Sequence, residues 1–193
     1  MYNLIRKSFS SFVPSLTNED LDRICLRLQV KNYPKKSTII REGEICRHVY
    51  FINKGALRLF NLLEGQEKNA MYVFENNWIS EYRSFILQSP ALQALQAIED
   101  CELLLLHYDD VQESYNINPR FERFGRLIAE FIFAETVNAE VENKLYSPEE
   151  RYLRLIAKDS IMLKRLTQQQ ISAYLGIQPE SLSRIRKRLA TKS

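Results

Sequence analysis

Cysteine, histidine and glycine are scarce in this 193-residue chain, and each shortage removes a class of chemistry. The three cysteines, Cys25, Cys46 and Cys101, are odd in number and far apart. No C-x-x-C spacing occurs, so they outline neither a zinc site nor a disulfide framework. Each reads as a small buried hydrophobe in a reducing, cytoplasmic setting. The two histidines, His48 and His107, form no His-x-His, and no metal site is expected. Ser and Cys nucleophiles lack a histidine partner pattern and a Gly-x-Ser-x-Gly elbow. P-loop and dinucleotide fingerprints are missing too, so the chain reads as a non-enzyme. No stretch approaches the ~18 apolar residues of a membrane span. Arg6-Lys7 is not followed by the apolar run of a signal peptide. A membrane partner is therefore not expected.

What is present is a real core and a lopsided charge. Hydrophobic residues make up 45% of the chain, enough for one ordinary domain and a small one. Residues 161–193 hold seven Lys or Arg against one Glu, a net of +6. The whole chain carries +3, which leaves −3 on residues 1–160. Positive charge gathered at one end suits phosphate neutralisation.

That basic end, residues 166–192, has the pattern of a helix-turn-helix. Thr167 can cap a helix whose Ile171 and Leu175 share a face. Gly176 permits a tight turn, and Pro179 suits the first position of a second helix. Leu182, Ile185 and Leu189 then form an inward stripe. At roughly 100° per residue from Leu182, Ser183, Lys187, Glu180 and Arg184 lie at about 100°, 140°, 160° and 200°, with Arg188 at the edge of that arc. A helix buried on one side and polar on the other has the form of a major-groove reader.

Upstream, residues 1–30 read as helical, with Thr17 and Asp20 as a capping box. Strand-like runs follow at 37–40, 48–53, 56–62, 68–74, 92–98 and 102–107. Turns are expected at Glu42-Gly43-Glu44, Lys54-Gly55 and Glu64-Gly65. Many short strands at this spacing indicate a sandwich, jelly roll or small barrel. Asn118 and Pro119 can open a long helix. Along it, Phe124, Leu127, Phe131, Ala134, Asn138, Val141 and Leu145 are spaced alternately by three and four. A helix packed on its own β domain would bury such residues. Three heptads with Asn138 to fix the register favour pairing with a second copy. Ser147-Pro148-Glu149-Glu150 opens a further helix, with Tyr152, Leu155 and Ile156 on its buried side.

β-roll, long helix and helix-turn-helix is the order found in the Crp/Fnr family of bacterial transcription regulators, which the residues resemble. Arg41-Glu-Gly-Glu-Ile-Cys-Arg-His-Val-Tyr-Phe-Ile-Asn-Lys-Gly-Ala-Leu-Arg-Leu59 resembles the glycine-spaced hairpin of cyclic-nucleotide-binding domains, with Gly43 and Gly55 on the family glycines. Residues 167–189 resemble the family's recognition motif. The resemblance covers nearly the whole chain and implies an α+β fold. Its parts are a jelly-roll (double-stranded β-helix) sensor domain with its N-terminal helix over 1–117, a dimerisation helix over 118–146, and a helix-turn-helix domain over 147–193.

The resemblance also implies roles. Glu180, Ser183 and Arg184 stand where Fnr-like recognition helices present their base-contacting Glu, Ser and Arg. Glu180 could accept from a cytosine amino group, and Arg184 could reach guanine or a phosphate. Pro179 replaces a further family Arg, and the usual β-wing is expected to be missing or reduced. Gln168, Arg186, Lys187 and Arg188 suit backbone contacts or solvation. In the nucleotide cassette, Glu81 falls on the family's ribose-binding Glu and Ser80 on its Gly, while the phosphate-binding Arg-Ser pair falls on Ala91 and Leu92. A buried phosphate there would lack its charge-assisted partners, with Arg83 the nearest substitute. Cyclic AMP is therefore not expected to bind in the usual manner. The pocket is either filled by Tyr82, Phe85 and Leu92 or open to another small ligand. Cys25 stands alone near the N-terminus, which excludes the family's iron–sulfur branch. The expected function is a homodimeric regulator on a pseudo-palindromic DNA site, with RNA polymerase among the implied partners. The alternative is a ligand-binding or protein-interaction module that has lost specific DNA binding.

Overall fold

A computed structural model describes residues 2–63, 66–158 and 160–191. The first half runs α1 (Asn3–Phe12), α2 (Asn18–Cys25), β1 (Gln29–Tyr33), β2 (Thr38–Ile40), β3 (His48–Lys54), β4 (Leu57–Leu63), β5 (Gln66–Val73) and β6 (Trp78–Ile79). Then come α3 (Tyr82–Leu87), β7 (Ala94–Ala97), β8 (Cys101–His107), α4 (Tyr108–Ile117) and α5 (Pro119–Leu145). The chain closes with α6 (Pro148–Lys158), α7 (Ser160–Arg165), α8 (Gln168–Tyr174) and α9 (Pro179–Ala190). It divides into two compact units, residues 1–59 with 73–133 and residues 60–72 with 134–193, so the boundary falls inside α5.

Two four-stranded sheets, ordered β1-β8-β3-β6 and β2-β7-β4-β5, form the roll. The run Cys101-Glu-Leu-Leu-Leu-Leu-His107 is its central strand, pairing antiparallel with β1 on one side and β3 on the other. Period-two alternation sends Tyr50, Ile52, Leu103 and Leu105 to one face and Phe51 and Leu104 to the other, and all six are buried. The second face meets the helices. Phe51 packs edge-on against Trp78 at 5.2 Å, and Trp78 against Phe9 of α1 at 5.3 Å. Gly43 and Gly55 take the positive φ their turns need. The Glu64-Gly65 turn lies outside the described residues. All three cysteines are free and buried.

Three elements depart from the sequence expectation. Residues 29–33 continue no helix but form β1, because β8 offers its edge from Cys101 to Leu105. The strand is largely exposed, so it carries no apolar alternation to announce it. Helix α4 was also hidden in the sequence. Its cap is the His107 imidazole, whose Nδ1 accepts from the Asp109 N–H at 3.2 Å, and histidine is not among the favoured capping residues. Across the strands, the His107 ring lies 5.0 Å from His48. Burial first and then His107 push His48 down to about 4. Helix α3 is only six residues long and is capped by Glu81.

Helix α5 starts as its sequence dictates. Asn118 Oδ1 accepts from the Arg120 N–H at 3.0 Å, and Pro119 occupies the first turn. The Asn118 amide also donates to Asp20 at 2.7 Å, and Arg120 pairs with the same carboxylate at 3.1 Å. Asp20 completes the reciprocal capping box of α2 with Thr17. The Thr17 N–H above all, and then its hydroxyl and Arg120, hold the Asp20 carboxyl below its ordinary range. One side chain thus caps α2 and anchors the start of α5.

The seam expectation needs a correction at Phe124. Its ring is buried against Phe9 (4.5 Å), Trp78 (5.7 Å) and Phe12 (5.7 Å). It therefore belongs to the roll's own core and not to a surface for a second copy. Leu127 is half-buried against the same core. Beyond them Phe131, Ala134, Asn138 and Val141 are exposed, as is Leu145. The even three-four spacing continues across a change of partner, which is why spacing alone could not find it.

Helix α5 approaches α4 through Gly125. A β-carbon there would overlap the Tyr115 hydroxyl and lie 2.5 Å from its Cζ, so only hydrogen fits. Alanine is the better helix former by about 1 kcal/mol, but the ring must then move. Gly125→Ala is expected to lower the unfolding free energy by about 1–3 kcal/mol in urea titrations. An unchanged or raised midpoint would show that the two helices part here without cost.

Candidate nucleic-acid interface

The second unit is built around the buried side chains Tyr152, Leu155, Met162, Leu166, Ile171, Leu175, Leu182 and Ile185. Thr167 caps α8 in a reciprocal box with Gln170: the Gln170 N–H donates to Thr167 Oγ1 at 3.2 Å and the Thr167 N–H to Gln170 Oε1 at 2.8 Å. Gly176 turns the chain at φ +66°, where an L side chain is strained, and Pro179 opens α9. Gln168 Nε2 donates across the turn to the Pro179 carbonyl at 3.0 Å. That bond ties the start of α9 to the start of α8, so the Gln168 amide is committed to the motif's own geometry.

On α9 the two faces separate as the spacing requires. Leu182 and Ile185 are buried. Glu180, Arg184 and Lys187 are exposed and Ser183 is half-buried on the opposite side. Arg184 lies 3.1 Å from the Ser181 hydroxyl, an exposed bond that leaves the guanidinium with further donors. Arg188 and Arg186 turn back toward α6. Arg188 pairs with Glu149, and Arg186 Nε donates to the Tyr152 hydroxyl at 2.9 Å. The arc facing outward is thus Glu180, Ser183, Arg184 and Lys187, with Arg188 drawn from its edge into an internal ion pair.

The cassette residues form a second cluster, in the first unit. Ser80, Glu81 and Ala91 are buried, Tyr82 is half-buried, and Arg83 and Leu92 are exposed. Glu81 is spent on the backbone, accepting from the Ser84 N–H at 2.6 Å and the Leu92 N–H at 3.4 Å. Ser80 donates to the His48 carbonyl at 3.0 Å and lies 3.1 Å from the Cys46 thiol, whose pKa burial pushes up. The Ser84 hydroxyl accepts from the Cys46 N–H at 2.9 Å and donates to the Ser89 carbonyl. Arg83 reaches the Ser89 hydroxyl and the Pro90 carbonyl, both at 3.4 Å. Leu92, expected as a filler, is 54% exposed: its N–H faces Glu81 and its side chain points away. An apolar cavity of about 70 Å³ lies between α3, α4 and α5, lined by Trp78, Tyr82, Phe85, Tyr115, Phe124 and Ile128. Among the described residues no group of three or more His, Cys, Asp or Glu is arranged to hold a metal ion.

Comparison with known proteins agrees with this arrangement. Residues 30–118 match the cyclic nucleotide-binding domain family. The cAMP-activated global transcriptional regulator CRP of Salmonella typhimurium is 23% identical over 186 residues, covering 90% of this chain and 88% of its own length. Among solved structures, the c-di-GMP responsive global regulator CLP of Xanthomonas campestris superposes with a TM-score of 0.74 at 16% identity, over 91% of this chain and 93% of that one. A Crp/Fnr family regulator from Eubacterium rectale superposes with a TM-score of 0.73 at 14% identity, over 95% of this chain and 88% of that one. The chain is similar to Crp/Fnr family regulators over about nine-tenths of its length.

In the cassette, the Glu81 carboxylate oxygens hold the turn between α3 and β7. Sequence reasoning set Glu81 against a ligand and missed this use, because a carboxylate cap three residues before its N–H partner looks the same whether or not a ligand also needs it. It also missed Arg151 as a support of the motif, since an Arg on an amphipathic helix reads as solvated surface; Tyr152 was expected on the buried side and is there, while Ile156, expected beside it, is exposed. If Glu81 works internally, Glu81→Ala should lower the stability of the ligand-free protein by about 1–3 kcal/mol, since two buried N–H groups lose their acceptor. A residue serving only a ligand would leave the ligand-free denaturation curve unmoved, and that outcome would refute the internal role.

Proposed function

We propose that this protein is a sequence-specific DNA-binding transcription regulator that acts as a homodimer on a pseudo-palindromic site. The observation that carries the reading is α9, buried through Leu182 and Ile185 and presenting Glu180, Ser183, Arg184 and Lys187 outward. A helix of this kind lies in the major groove, where Arg pairs bidentately with guanine and Glu accepts from cytosine. Lys187 neutralises phosphate and fixes the register without reading sequence. The exposed stripe of Phe131, Ala134, Asn138, Val141 and Leu145 supports pairing with a second copy. Apolar residues at this spacing need a facing helix, and Asn138 would set which one. Two copies then present two recognition helices to successive grooves about one turn (~34 Å) apart. No helix among the described residues is long and apolar enough to cross a membrane.

The test is a salt-dependent gel-shift series on selected operator fragments. Wild type is expected to show a steep fall of affinity with salt, and Arg184→Ala to lose about 1–3 kcal/mol of discrimination at one base pair while keeping most of that slope. Equal binding of every sequence by wild type and variant would refute specific reading. Complexes with an acidic protein that DNA fails to displace would favour the interaction-module alternative.

The regulatory ligand is proposed to be something other than cyclic AMP, even though relatives are named for activation by it. Ala91 has no polar side chain and Leu92 points away, so neither supplies a partner for a cyclic phosphate. Calorimetry with cyclic AMP is expected to give no saturable heat at millimolar concentration. Stoichiometric binding would mean that Glu81 and Arg83 release their internal partners for the nucleotide.

A further inference from the structure

Within the second unit, one arginine joins the end of the long helix to the turn of the DNA-binding motif. Arg151 lies one turn into α6, which starts only three residues after α5 ends. Its Nη1 donates to the Asn143 side chain on α5. Its Nη2 donates to the Leu175 carbonyl at 2.6 Å, at the C-terminal end of α8. Its Nε is buried without a hydrogen-bond partner among the described residues. A buried guanidinium nitrogen left without an acceptor is costly, so the group is held where it is by its other two bonds.

The position matters because the Leu175 carbonyl stands at the C-terminal end of α8, where carbonyls run out of intrahelical donors, next to Gly176 where the chain turns toward α9. A cation at a helix C-terminus also meets the negative end of the helix dipole. The planar guanidinium can direct two N–H donors along diverging lines at once, which a lysine ammonium on a flexible stem does poorly. Other contacts close α6 onto α5: Lys158 with Glu142 at 3.3 Å, and Arg154 over the Tyr146 ring at 3.7 Å. Those stop at α6, whereas Arg151 goes on to α8.

We propose that Arg151 is a positioning residue that fixes the attitude of the helix-turn-helix on the end of α5, and thereby sets the half-site spacing the dimer accepts. The inference rests on the DNA-reading proposal above and adds the residue that sets its geometry. Arg151 touches no base; it acts through Leu175 and the turn that launches α9.

The experiment measures affinity for a set of operators with identical half-sites and varied separation, together with affinity for a single half-site. Wild type should prefer one separation. Arg151→Lys and Asn143→Ala should flatten that preference, lowering affinity at the best separation by roughly tenfold while leaving the single half-site and the salt slope unchanged. Arg184→Ala should instead weaken every separation alike. Asn143 is exposed, so Asn143→Ala keeps the fold intact should Arg151→Lys disturb it, as circular dichroism would report. Retention of the full spacing preference by a folded Arg151→Lys protein overturns the positioning role. Failure of wild type to bind any operator specifically overturns the DNA-reading proposal itself, a result separate from the first.

Discussion

The packing of Phe9, Trp78, Phe121 and Phe124 holds the long helix against the roll, and much else follows from it. Phe9 comes from α1, Trp78 from the edge strand β6, and the other two rings from the first turns of α5. Their centroids lie 4.5–6.0 Å apart in tilted and edge-on arrangements, the separations at which the positive ring edge meets a negative face. The outer face of the first sheet supplies Phe51 beneath them. Three pieces of chain far apart in sequence are needed to build this cluster, so the position of the first turns of α5 depends on the roll.

How legible this was in the sequence varies with the range of the interaction. Local rules held well. The capping boxes at Thr17 and Thr167, the Asn118-Pro119 start and the Ser147-Glu150 cap are all decided within three or four residues, and each appears where the residues require. The strand runs followed from alternation. What failed was anything decided by a distant partner. Phe124 shares its spacing with Leu127 and Phe131, but it meets Phe9, more than a hundred residues away. Residues 29–33 are extended because β8 accepts them, and Leu92 points outward because its N–H is turned to Glu81. On α9, the arc of Glu180, Ser183, Arg184 and Lys187 was readable from periodicity. The inward turn of Arg186 and Arg188 depended on Tyr152 and Glu149 of α6, which no local pattern links to them.

In the cassette a single carboxylate organises its surroundings. Glu81, Ser80, Ser84 and Cys46 form a small buried polar network in which each bond closes on protein. Such a network rigidifies what it joins, because any member left unpaired in a low-dielectric interior is expensive. The loop between α3 and β7 is closed on itself through Glu81, Ser84 and Arg83.

The division of the molecule inside α5 has a mechanical consequence. From Phe124 to Leu145 the helix extends for roughly 32 Å at 1.5 Å per residue. It is gripped at one end by rings and carries its exposed stripe toward the other. The residues that α5 offers to a facing helix are therefore the ones the roll leaves uncovered, so closing the ring cluster costs that stripe none of its apolar surface.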